Sequence, residues 1–352
     1  MKRSLTACCL FLLSLTLLFP GSAMARTQFS VCWSIYVGWM PWGYGDEAGI
    51  VSKWADKYGI EIDVVQINDY IESINQYTAG RYDGCTMTNM DALTIPAASG
   101  KDSTALIVGD FSDGNDGVVL KGTDKLADIK GKRVNLVELS VSHYMLARGL
   151  ETVGLSERDI TVVNTSDADL VSVFATPRVQ AVATWNPLLS TMLEMPGAQL
   201  VFDSSKIPGE IIDLMVVDTQ VLKDYPDFGK ALTGAWYEIM ARMQGDDAAA
   251  KNARDMMAEA SGTDRAGYEA QLDSTRLFYA AADAVAFTRS EDLLSTMQRV
   301  AEFSFTHGLL GDGAPHAGFV GIETPAGVFG NAANVRLRFD PAFMNMAAQG
   351  EL

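Results

Sequence analysis

The chain has 352 residues, enough for about two domains of roughly 150 residues each, and 48% of them are hydrophobic, which excludes a disordered chain. Its formal charge of −17 at neutral pH argues against nucleic acid and anionic lipid as partners. Only three histidines are present, and no His/Cys cluster has metal-ligand spacing, so no metal and no cofactor are expected.

Met1–Ala25 reads as a secretory signal cut after Ala25. Lys2 and Arg3 precede the apolar run "TACCLFLLSLTLLF", and Ala23 and Ala25 take the small-residue positions before the cut. "LTAC" lies ahead of that run, where it cannot serve as a lipidation box. No other segment approaches the roughly 20 apolar residues of a membrane span. The mature chain is therefore expected to be exported and soluble, with a charge of −19 once Lys2 and Arg3 are gone. Cys8 and Cys9 leave with the signal, and Cys32 and Cys85, both in predicted strands, read as buried free thiols rather than a disulfide.

From "FSVCWSIYV" the chain alternates strands and helices: "DEAGIVSKWADKYG" as a helix closed by Gly59, "IEIDVVQI" as a strand, then "DYIESINQYTAG" as a helix. Asp69 and Glu72 have the spacing of a capping box for that last helix. The strand "DGCTMT", the helix "NMDALTIPAASG" and the strand "TALIVGD" complete a β-α-β-α-β-α-β order, which predicts a parallel sheet with helices on both faces. A second series follows "GVVLKG": strands at "KRVNLV", "ITVVN", "VQAVATW" and "AQLVFD", with helices at "SVSHYMLARGLETVG" and "DADLVSVFA". "IIDLMVV" reads as another extended crossing, and from Tyr225 onward the pattern is helical.

Two α/β lobes joined by extended crossings near 117–121 and 212–217 place a cleft between them. Lobe 1 is expected to take 26–117 and 217–352, and lobe 2 118–216. In such folds ligands lie beyond the carboxyl ends of strands and between domains, so the residues after each strand are the candidates. The loop "GWMPWGYGDEAGI" puts its third glycine one residue late for a dinucleotide fingerprint, and Asp46 and Glu47 would repel a pyrophosphate. Its aromatics Tyr36, Trp39, Trp42 and Tyr44 instead suit a flat neutral or cationic solute. Other strand ends offer Asn89 and Asp91, then Asp110, Asp113, Asn115 and Asp116, then Ser140, Ser142 and His143 at a helix start. Trp185 and Asn186 follow in "ATWNP", and Glu210 and Asp213 lie beside the second crossing. None of these segments holds Lys or Arg, which a sulfonate, nitrate or phosphate site usually wants. Catalysis finds little footing: there is no Gly-x-Ser-x-Gly elbow, and His143, Ser140 and Asp113 are common residue types in separate segments.

The segments "YTAGRYDGCTMTNMDAL", "DKLADIKGKRVNLVELSVSHYMLARGLETVGLSERDI", "VQAVATWNPLL" and "SSKIPGEIIDLMVV" resemble the periplasmic substrate-binding proteins of ABC importers in the nitrate/taurine/sulfonate group. The likeness covers about residues 30–310 and is strongest to the urea/guanidine branch, associated with urea or guanidine carboxylase systems. It implies a two-lobed type II periplasmic-binding-protein fold that closes on a hinge. It also implies a monomer working in the periplasm that hands a small-molecule ligand to a membrane permease, without catalysis. "ATWNP" departs from the commoner "TWEP", leaving Asn186 no charge to offer. Joined to the aromatic and acidic strand ends, this favours guanidinium first and urea second. Tyr36, Trp42 and Trp185 are expected to stack, with Tyr44 beside them. Asp113, Asp116, Glu210 and Asp213 are expected to accept hydrogen bonds, and Asn89, Ser142 and His143 to orient the ligand. A sulfonate, nitrate or thiamine-precursor-like ligand held at helix starts is the alternative, and a secreted hydrolase the alternative from another class.

Overall fold

A computed structural model describes residues 26–311 and 313–352; Met1–Ala25, the segment expected to be a secretory signal, lies outside the described residues. The strands are β1 (Gln28–Trp33), β2 (Glu61–Gln66), β3 (Gly84–Thr88), β4 (Ser103–Ser112), β5 (Asp116–Lys121), β6 (Arg133–Leu136) and β7 (Thr161–Asn164). They continue with β8 (Ala181–Trp185), β9 (Ala198–Asp203), β10 (Ile212–Asp218), β11 (Thr275–Leu277), β12 (Gly321–Thr324), β13 (Gly327–Phe329) and β14 (Val335–Phe339). A nine-stranded sheet runs β13-β12-β14-β4-β10-β3-β1-β2 with β11 added on β4, and a five-stranded sheet runs β7-β6-β8-β5-β9.

Both sheets are mixed rather than parallel. β1, β2 and β3 pair in parallel as expected, but β10 inserts antiparallel between β3 and β4. In the smaller sheet β5 is antiparallel to both β8 and β9, while β6 is parallel to β7 and β8. The segments read as crossings are themselves strands: 117–121 belongs to β5 of the smaller sheet and 212–217 to β10 of the larger. The chain leaves the larger sheet between β4 and β5 and returns between β9 and β10. Buried on both faces, β10 carries an unbroken apolar run, "LMVV", which identifies a central strand but not its direction.

Local chemistry fixes most helix starts. Asp69 caps helix Tyr70–Thr78 by accepting from the Glu72 amide at 2.9 Å, while the Glu72 carboxylate takes the Gln76 amide instead of closing the box. Ser140 caps helix Val141–Thr152 through the Ser142 amide at 3.2 Å. The expected helix from Asp46 is two helices, Met40–Glu47 and Ile50–Lys57, split at Gly49, whose φ of 71° suits glycine. The helical reading beyond Tyr225 missed β11 and the β12–β14 edge, which extends the larger sheet past β4. Cys32 and Cys85 are register partners on β1 and β3, both buried and free. No helix among the described residues is long and apolar enough to cross a membrane.

Candidate functional site

Where the two sheets face each other, a cavity is lined by Tyr36, Trp39, Tyr70, Thr88, Asp116, Val141, Trp185, Ile211 and Asp213. The space open to the centre of a water-sized sphere is ≈ 20 Å³, room for a solute of only a few heavy atoms. The rings form a continuous wall: Tyr36 to Trp39 at 4.9 Å, Trp39 to Tyr70 at 5.5 Å, and Tyr70 edge-on to Trp185 at 5.8 Å between centroids. Trp185 comes from the smaller sheet and its Nε1 donates to the Ile35 carbonyl at 3.4 Å, so this wall bridges the two units.

Sheet register brings the carboxylates together. Asp110 and Asp213 are partners on β4 and β10, and Asp116 and Trp185 are partners on β5 and β8. The Tyr36 hydroxyl donates to Asp110 at 2.9 Å, and Ser112, itself bonded to Ser204 at 2.6 Å, donates to Asp116 at 2.6 Å. Tyr70 and Thr88 both donate to one oxygen of Asp91, at 2.6 and 2.8 Å. Gly38 permits the close approach around Asp110: a Cβ there would sit 2.5 Å from the carboxylate oxygen and from the Tyr36 ring.

Burial dominates the ionisation of these acids. It pushes Asp110 up to about 7, against hydrogen bonds from Asp213 and Tyr36. It pushes Asp116 up to about 7 as well, against the Ser112 hydroxyl and helped by the charges of Asp110 and Asp91. Asp213 is held well above the usual range by burial, then by Asp110 and Asp116, and Asp91 rises to about 6 by burial. Burial thus favours the protonated form of each of these carboxyls. Asp110 Oδ2 and Asp91 Oδ1 are buried and meet no hydroxyl or side-chain amide donor. No Lys, Arg or His lines the cavity.

Of the residues expected from sequence, Tyr36, Asp116, Trp185 and Asp213 come together here. Trp42 stands behind the cage, stacked on Trp236 at 5.1 Å and lining a second, smaller cavity with Asp110 and Asp213. Trp42→Ala is accordingly expected to destabilise the fold by about 3–5 kcal/mol, the usual cost of truncating a buried Trp. Chemical denaturation would measure that loss, and a variant of unchanged stability would place Trp42 outside the core. Tyr44 packs beside Trp33 and Met256 in an outer pocket, and Asp113 is exposed in a groove with Tyr279. Asn89 braces the return segment, donating to the Glu210 carbonyl and accepting from the Ile212 amide, both at 3.1 Å. Glu210 is engaged by Tyr144 and by Arg148 at 3.0 Å, and His143 by Glu157. Ser142 is buried with a hydroxyl that has no partner, next to the lining residue Val141.

Trp39, Tyr70, Thr88 and Asp110 are the site residues that strand-end reading did not select. Trp39 and Asp110 lay within the segments considered. Tyr70 follows the helix cap Asp69 and carried no signal of its own, because only the tertiary packing turns its ring towards Trp185. Among the described residues, no group of three or more His, Cys, Asp or Glu could hold a metal ion.

A family model described as NMT1/THI5 like matches residues 54–242. A provisionally named binding protein of Brucella abortus (strain 2308) is 24% identical over 180 residues, which span 50% of this chain and 56% of that protein, so the chain matches little more than half the length of this relative. The structure is similar to the periplasmic aliphatic sulphonate binding protein SsuA of Escherichia coli, with a TM-score of 0.65 and 16% identity over 81% of this chain and 88% of that one. It is equally similar to the ligand-binding component of an ABC-type import system from Staphylococcus aureus with zinc bound: TM-score 0.65, 11% identity, 92% of this chain and 99% of that one. These likenesses establish the α/β periplasmic-binding-protein fold.

Proposed function

The chain belongs to the NMT1/THI5-like family, and from that membership and the chemistry of its cage we propose that it is a periplasmic solute-binding protein that captures guanidinium. Urea is the second ligand, and delivery is to an ABC importer in the membrane. The observation that carries the ligand is the lining: four aromatic rings and the carboxyls of Asp116 and Asp213, backed by Asp110, with no basic side chain. Ring faces attract a flat cation, and the carboxyls, once ionised, accept from guanidinium N–H groups and repel an oxyanion. Capture needs no chemistry beyond binding, so no turnover is expected. The protein works as a monomer without a structural metal, one lobe built on the larger sheet and the other on the smaller, with the lobe boundaries at the β4–β5 and β9–β10 connections rather than inside β5 and β10.

A sulfonate or nitrate ligand is the second reading. Its specific support is the unpartnered Ser142 hydroxyl at the start of helix Val141–Thr152, beside the cage, together with the sulphonate-binding name of the Escherichia coli structure. Thermal shift and calorimetry with guanidine, urea, taurine and nitrate test both readings. Guanidinium is expected to raise the melting temperature most; tight taurine or nitrate binding without guanidinium binding would replace the first reading by the second.

Ligands that touch both units favour the closed population. Small-angle scattering of the protein saturated with its best ligand is expected to give a radius of gyration no larger than that of the free protein at any pH. At the pH where the free protein is most extended, the bound form is expected to be clearly smaller. An identical profile there would overturn hinge closure.

A further inference from the structure

We propose that His307 and Glu157 form a clasp, tightened by a proton, that holds the two units closed over the cavity. Helix Val141–Thr152 packs on β5, β8 and β9 of the smaller sheet, and helix Glu291–Thr306 packs on β12 and β13 of the larger. The two helices meet through aromatic and charged side chains. Tyr144 stands edge-on to Phe303 at 4.9 Å, and Glu210, held by Arg148, lies 3.9 Å from Arg299. At the end of this seam Glu157, in the turn Glu157–Asp159 that packs on β7 of the smaller unit, pairs through one oxygen with His143 and through the other with His307.

The two imidazoles are in different states, and their hydrogen bonds say which. His143 Nδ1 accepts from the Leu139 amide at 3.1 Å, so its proton sits on Nε2 and points at Glu157, leaving a neutral ring. His307 faces two acceptors: Nδ1 lies 2.8 Å from the Phe303 carbonyl and Nε2 lies against the Glu157 carboxylate. Both of its nitrogens must carry protons, so the ring is an imidazolium. The charged groups facing it are Glu157 and Glu151, the latter also paired with Arg148 at 2.5 Å, with neutral His143 at 6.3 Å between ring centroids. Hydrogen bonding to Glu157 raises His307 above its ordinary 6.5. At Glu157 burial works upward, but the bonds from His143 and His307 outweigh it and bring the carboxyl down to about 2.

The clasp rests on the hinge-closing reading of the previous section. Opening parts His307 from Glu157 and returns it to an ordinary histidine. A group raised in the closed form supports closure fully below about pH 6.5 and loses that support as pH rises through its closed-form value. Each unit by which closure raises His307 shifts the closed-to-open ratio about tenfold at low pH. The carboxyls of Asp110, Asp116, Asp213 and Asp167 are also raised by burial and titrate in the same sense. The test is therefore a difference between proteins, not a single profile.

Ligand-free wild type, His307→Gln and Glu157→Gln are compared by small-angle scattering at pH 6 and pH 8.5, with guanidinium-saturated samples alongside and a thermal melt to confirm folding. At pH 6 both variants are expected to be more open than wild type, and at pH 8.5 the three are expected to coincide. Equal dimensions at pH 6, or a difference that persists undiminished at pH 8.5, would overturn the clasp. So would a difference abolished by EDTA, which would make the contact a metal site. If guanidinium compacts all three proteins while pH separates none, the clasp falls and the binding reading stands. If neither guanidinium nor pH changes any profile, hinge closure falls with it.

Discussion

Asp213→Asn is expected to weaken guanidinium binding about thirtyfold, while urea changes by no more than about threefold. The basis is the gap between charge-assisted and neutral hydrogen bonds, roughly 1.5–3 against 0.5–1.5 kcal/mol, at a tenfold change in affinity for each 1.4 kcal/mol. Asp213 lies on the cavity wall and is fully enclosed with Asp110 and Asp116, so its charge acts through protein rather than water and salt screens it little. Asparagine keeps the shape and one acceptor, which is why a neutral ligand of the same outline is spared. Asp116→Asn should act in the same direction, since its Ser112 partner can still donate to the amide oxygen. Isothermal calorimetry of both variants with both ligands measures the gap. An Asp213→Asn protein that binds guanidinium as tightly as wild type would remove the carboxyl cage from the account and turn attention to the helix start at Ser140.

Guanidinium affinity should also climb steeply with pH, by close to tenfold per unit between about pH 5 and 7, and then level off. The free cage is expected to hold protons because burial raises Asp110 and Asp116 to about 7 and holds Asp213 well above the usual carboxylate range. A bound cation favours the ionised form of each carboxyl it faces and must displace at least one of those protons. One proton released per ligand gives that slope below the free-site value. Calorimetry in buffers of different ionisation enthalpy would count the proton directly, and urea should show neither the slope nor the buffer dependence. The stability of the free protein carries the complementary sign. Carboxyls whose folded-state values lie above the unfolded 3.8 support the fold fully below that pH and lose their contribution as pH rises through about 7. The free protein should therefore melt lower at pH 8 than at pH 5, and guanidinium should narrow the difference. A flat affinity profile with no buffer dependence would mean that the cage is already ionised.

Much of this molecule is decided locally, and that part is legible in the sequence. Alternating apolar runs and a cap such as Asp69 depend on neighbours within a few residues, so most strands from β1 to β9 and the family likeness follow from reading along the chain. Tyr36 and Trp185 lie at the carboxyl ends of β1 and β8, as strand-end reasoning expects, while Asp116 and Asp213 reach the cavity from the amino ends of the antiparallel strands β5 and β10. The direction of β10 is not local. Its central place depends on pairing with strands laid down about 100 residues earlier, and an apolar run buried on both faces reads the same in either direction. The cage residues outside the expected ligand set share that origin. Asp110 matters because register sets it opposite Asp213, and Tyr70 because the smaller sheet brings Trp185 against it. His143 shows the converse. Its place at a helix start suggested a ligand contact, yet packing turns it towards Glu157 on the seam. Periodicity and capping report which backbone forms. Which side chains share a dielectric, and therefore a proton or a ligand, is settled only when the two sheets close on each other.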